Sequence, residues 1–141
     1  LQPQARAFRY ANLRSAMAEE GVIRLMMRDD DLYDKLRVLR PEEFSSPLLG
    51  KIYSLLCADR EAGRPHSMAA LGGILSPEEM SHFTAILQKP ESVSGAEQAL
   101  SDYIRIIREE ADRQIGGDEL DPLLAAQEKY KFKKGYGGKN L

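Results

Sequence analysis

At 141 residues, 43% apolar and 30% charged, the chain is long enough to bury about two-thirds of its unfolded surface as one domain, and its composition excludes general disorder. A formal net charge of -2 excludes the whole-surface basic field of a dedicated nucleic-acid binder. No apolar run approaches the ~20 residues of a membrane span and no signal-peptide pattern opens the chain, so a cytoplasmic protein without a membrane partner is expected.

The predicted elements are all helical. Apolar spacing places helices over about Gln4 to Met17, Ala18 to Arg28, Leu32 to Leu39, Pro47 to Glu61, Met68 to Leu75, Pro77 to Leu87, Gly95 to Ile115 and Pro122 to Lys133. The second of these reads as a core helix: Val22, Ile23, Leu25, Met26 and Met27 put five apolar side chains in six positions, more than one amphipathic stripe needs, so neighbours surround it. Ser46-Pro47, Ser76-Pro77 and Asp121-Pro122 each set a capping side chain before proline at the first helical position. Ser76 with Glu79 and Ser94 with Glu97 fit the capping box. The Gly95 helix carries Ala96, Leu100, Tyr103, Ile104, Ile107, Ala111 and Ile115 along one face. No segment alternates with period two for the length of a strand. The expected fold is therefore an all-α compact bundle over 1–110, a short helical hairpin over 111–134 and a tail over 135–141, with Gly116-Gly117 as a hinge short enough to permit domain swapping.

Residues able to carry chemistry have bland readings. The pairs Glu19/Glu20, Glu42/Glu43, Glu78/Glu79 and Glu109/Glu110 sit beside helix starts or on charged faces and read as solvated or capping groups, not acid-base pairs. Asp29-Asp30-Asp31 lacks the ligand alternation, glycine and distant glutamate of a calcium loop, and reads as a helix stop followed by a cap. His66 and His82 have no cysteine companions at zinc-ligand spacing. Cys57 lies on an apolar helix as a small hydrophobe; as a lone cysteine it agrees with a reducing compartment. Gly135-Tyr136-Gly137-Gly138-Lys139 has neither the preceding strand nor the following helix of a phosphate-binding loop. No catalytic residue, metal or cofactor is expected.

Lys129, Lys131, Lys133, Lys134 and Lys139 alternate with Tyr130, Phe132 and Tyr136 after the last acidic residue, Glu128. Such a segment can complement a helix dipole, hold single-stranded nucleic acid, or dock on a partner protein.

The run from Ala18 to Asp29, the step Leu39-Arg40-Pro41-Glu42-Glu43-Phe44, the pair Ile52-Tyr53 and the segment Asp102-Tyr103-Ile104-Arg105 together resemble the helicase-binding, carboxyl-terminal domain of bacterial DNA primase, over about Tyr10 to Tyr136. The resemblance implies a non-catalytic domain of a primase; the start at Leu1 without methionine suggests a fragment or a processed product and is read as an excised domain, and the lysine-glycine tail reads as a natural terminus. It implies a helical bundle and terminal hairpin, Ile115 to Lys133, that engage the amino-terminal domains of the replicative helicase and recruit primase for primer synthesis. On that hairpin the expected contact face is Leu120, Leu123, Leu124, Gln127 and Tyr130, with Lys131, Lys133 and Lys134 speeding association; direct nucleic-acid binding is secondary, and the fragment is a monomer or a swapped dimer. The helicase's own amino-terminal domain is similar to the same bundle and stands as the alternative, with a helical nucleic-acid adaptor behind it.

Overall fold

The computed structural model describes residues 10–36, 38–91 and 94–117. Among them every regular element is helical. The first helix, α1, spans Leu13–Arg28. Asn12 caps it, its side chain accepting from the Ser15 amide at 3.1 Å, and this satisfies one of the donors that a helix start leaves unpaired. The expected break between Met17 and Ala18 is absent: one helix runs through, because the cap sits at Asn12 and the alanines on either side of Met17 favour continuation. It stops at Asp29, whose backbone turns extended and whose carboxylate accepts from the Asp31 amide at 3.0 Å. That is the stop-and-cap reading of the aspartate run.

A 3-10 turn, Asp30–Leu32, then leads into a four-residue helix α2, Tyr33–Leu36, in place of the eight-residue helix expected up to Leu39. Leu39 turns into the core instead, and its carbonyl accepts from the Tyr53 hydroxyl at 2.7 Å. A second 3-10 turn, Pro41–Glu43, is closed by the Glu43 side chain on the Arg40 amide at 2.8 Å. It delivers Phe44 onto Tyr53, rings stacked with centroids 4.7 Å apart.

Helix α3, Pro47–Glu61, starts at Ser46 as the sequence predicts, the hydroxyl accepting from the Leu49 amide. Helix α4, Met68–Gly72, is shorter than predicted, since Gly72 and Gly73 add no side-chain packing and weaken helix propagation. Leu71 and Leu75 are nevertheless buried. Helix α5, Pro77–Gln88, has the full Ser76/Glu79 capping box. Helix α6, Ala96–Gly117, is the longest. Its cap position belongs to Gly95, at φ 72°, whose carbonyl accepts the first helical bond from Ala99. The predicted Ser94 start is thus displaced by one residue: the turn needs left-handed backbone, which glycine adopts freely, and Glu97 pairs with Lys35 at 3.6 Å.

Helix α1 is the central strut. Val22, Ile23 and Leu25 are fully buried and Met26 nearly so, with Ile52, Tyr53 and Leu56 of α3, Phe83 and Ile86 of α5, and Leu100 and Ile107 of α6 in the same core. Each such aliphatic side chain contributes about 1.5–3 kcal/mol relative to exposure. Its most extensive partner is α6, packed antiparallel to it. The approach is close because Gly21 carries no Cβ: one built there would stand 2.3 Å from the Tyr103 ring.

Candidate functional site

The expected contact face, Leu120, Leu123, Leu124, Gln127 and Tyr130 with Lys131, Lys133 and Lys134, lies outside the described residues, as do the Asp121-Pro122 cap and the tail. What is described is the surface from which that segment departs. Helix α6 continues through Gly116 and Gly117, where a connection was expected. Ile107, on the apolar face expected of this helix, is fully buried, because α6 spends that face on α1.

The glutamate pairs divide. Glu79 caps α5, and Glu43 closes its turn and pairs with Arg108 at 3.1 Å. Glu19 and Glu20, expected to be solvated or capping, are buried at 0% and 1% exposure. Glu19 crosses from α1 to the start of α3: it accepts from the Ser45 and Ser46 amides at 2.8 and 3.2 Å and from the Ser45 and Ser15 hydroxyls at 2.7 and 2.5 Å. A carboxylate here complements the positive end of α3 while satisfying backbone donors that have no helical acceptor. The correction follows from α1 being enclosed from Ala18 to Met26: a helical stretch buried on every side takes adjacent polar residues inside with it. The five-in-six apolar run was the signal for this, and the serine pair was a second one.

Glu20 joins a second network. Its oxygens accept from Lys89 Nζ at 2.7 Å, from the Tyr10 hydroxyl at 2.6 Å and from Arg24 at 3.5 Å. Arg24 also bonds Glu91 at 3.0 Å, and the Tyr103 hydroxyl donates to Glu91 at 2.8 Å. These bonds tie α1 to the connection between α5 and α6. Burial, then the hydrogen bond to Glu20, raises the Tyr10 phenol well above its ordinary value, so it stays protonated. Its single proton goes to Glu20, so the 2.6 Å contact with His82 Nε2 requires the imidazole to donate there. Burial lowers the His82 pKa from its ordinary 6.5, against Glu20 raising it and Lys89 lowering it further. Unfolded chain therefore takes up the proton more readily than folded chain; the stabilisation is whole above about pH 6.5 and lost as pH falls through the depressed folded value. Urea denaturation is expected to show stability declining from about pH 6.5 towards pH 5, with His82→Gln flattening the decline; an unchanged slope in the variant would refute this.

Among the described residues no three His, Cys, Asp or Glu side chains group as metal ligands, and no helix is long and apolar enough to cross a membrane. Burial raises the Cys57 thiol pKa, which keeps it un-ionised and a poor nucleophile. What the surface offers is shape and apolar area. A groove of about 600 Å³ runs between α1 and α6, walled by Leu13, Met17, Tyr103 and Ile106, with Arg14 at one end and Lys89 near the other. Leu13 and Met17 are 64% and 40% exposed. Arg14 is held by Glu110 at 2.7 Å and Glu109 at 3.3 Å, and the Glu110 carboxyl is kept below its usual range by the Asn12 amide and the Arg14 guanidinium. On the far flank of α6, Val38, Leu100 and Ile104 line a second groove of about 440 Å³ edged by Lys35, Arg105 and Arg108. An amphipathic helix can lay its apolar face into a groove with apolar walls and charged margins.

Comparison with curated proteins and comparison with solved structures each return no match. A family model does match: that of the DnaB-like helicase N terminal domain, over residues 11–109, from the cap of α1 to the charged turn of α6. It covers well over half of the chain, and it falls on the domain that the sequence analysis ranked behind the primase one. By its helices, its core and this match, the chain belongs to the DnaB-like helicase N-terminal domain family.

Proposed function

We propose that this chain is a non-catalytic docking domain of the DNA-replication machinery, of the kind a replicative helicase carries at its amino terminus. The family match over 11–109 is the observation that carries this reading. The apolar grooves beside α6, with their charged margins, support a role in contact and not in chemistry. A second reading, the helicase-binding domain of DNA primase, keeps the support of the Leu39–Phe44 step. In that step Phe44 stacks on Tyr53, and Glu43 pairs with Arg108 of α6.

Gel filtration distinguishes the two. The chain is mixed in turn with the replicative helicase ring and with the primase of the same replication system. Co-elution with primase supports the helicase-side reading, and co-elution with the intact ring supports the primase-side reading. Elution alone in both mixtures overturns both. On either reading the terminal leucines are expected to contribute. Leu123→Asp/Leu124→Asp should weaken the complex about ten-fold or more, since apolar anchors at an interface centre carry most of its energy. The thermal midpoint of the bundle should move by no more than about 3 °C. Undiminished binding would remove these residues from the contact face.

A further inference from the structure

The groove between α1 and α6 has dimensions that suit one segment of this same chain. Helices α1 and α6 run antiparallel, Arg14 lying beside Glu110 and Gly21 against Tyr103. The groove's Leu13 end is therefore level with Glu110, and its other end is at Arg24 and Lys89. From Glu110, α6 continues seven residues to Gly117, about 10 Å beyond the groove at 1.5 Å per residue. The chain then has 24 more residues. Residues 118–121, extended at about 3.4 Å each, span about 14 Å, enough to return Pro122 to the Leu13 end. The helix that the sequence predicts from Pro122 to Lys133 and the groove, Leu13 to Arg24 along α1, each span 12 residues, about 18 Å. The chemistry also matches: the predicted helix carries Leu123, Leu124 and Gln127 at helical spacing, and the groove offers the apolar walls Leu13, Met17, Tyr103 and Ile106.

From this we infer that the segment 118–134 docks in cis in the α1–α6 groove, its leucines covering Leu13 and Met17. The inference does not depend on which replication protein the domain meets. It has a functional consequence: leucines seated in the groove are withheld from a partner, so a partner that uses them competes with the chain's own fold.

Cysteine pairs in the full chain test it, in a Cys57→Ser background. Met17→Cys is combined with Leu123→Cys, with Leu124→Cys, or with Lys129→Cys, the last on the opposite side of the predicted helix. Unchanged helical circular dichroism verifies folding of each. A docked segment brings at least one leucine position within disulfide reach of residue 17. Under mild oxidation that pair should close within the monomer at least ten-fold faster than the Lys129 pair. Equal rates for all three pairs overturn the inference. A disulfide-linked dimer overturns it too, because the groove is then filled by a second copy.

Discussion

Replacing Glu19 by alanine is expected to destabilise the domain by about 3–5 kcal/mol and to lower its thermal midpoint by about 10–20 °C. Four donors converge on this fully buried carboxylate: the amides of Ser45 and Ser46 and the hydroxyls of Ser45 and Ser15. Removing it leaves the two amides without an acceptor at the start of α3, and a buried unpaired donor costs more than the same bond contributes when made. Glu19→Gln separates hydrogen bonding from charge. With its oxygen in the Oε2 position the amide keeps the three bonds from Ser15 and Ser45, while its NH2 group faces the Ser46 amide, donor to donor. It should lose about half as much as alanine. Chemical denaturation of the three proteins decides this, and a Glu19→Ala loss below about 1 kcal/mol would show that the carboxylate is not what joins α1 to α3.

The second large effect is expected at Gly21. A Cβ there would lie 2.3, 2.4 and 2.9 Å from three atoms of the Tyr103 ring. The ring can yield only by giving up the bond from its hydroxyl to Glu91, itself paired with Arg24. Gly21→Val adds two further methyl groups at this contact and should cost about 3 kcal/mol, at the upper end of ordinary overpacking. In a Tyr103→Ala background the obstruction is gone, and the same substitution should then lie within about 1 kcal/mol of neutral, near the small difference in helix propensity between glycine and valine. If it costs as much with Tyr103 removed, the clash is with something other than the ring and the α1–α6 approach is misassigned.

These two positions mark where local pattern stops being informative. Ser46-Pro47 and Ser76-Glu79 were legible because a cap is a contact between residues three apart, complete within the sequence that encodes it. The central helix was legible from its apolar density, and that density held in the folded chain. Position Gly21, by contrast, is a glycine because of Tyr103, more than 80 residues later. Glu19 and Glu20 passed for surface residues because, beside the nearby Ser15, Arg24 and Tyr10, the partners that draw them inside, Ser45, Ser46 and Lys89, are distant in sequence. The α1–α6 groove is built from both ends of the described chain and has no local signature.

The sequence by itself determined the all-helical class, most helix starts and the identity of the central strut, since capping and periodicity act within one or two turns. Its leucine-bearing terminal segment, with Leu120, Leu123 and Leu124, stays a matter of sequence, outside the described residues. Only the tertiary structure decided that α1 continues unbroken past Met17, that Leu39 folds inward without a helix around it, and that Glu19, Glu20 and Glu110 belong to the interior. Each of these depends on a free energy summed over residues far apart in the chain, where burial against a distant neighbour outweighs the local preference of well under 1 kcal/mol per residue that a sequence pattern reports.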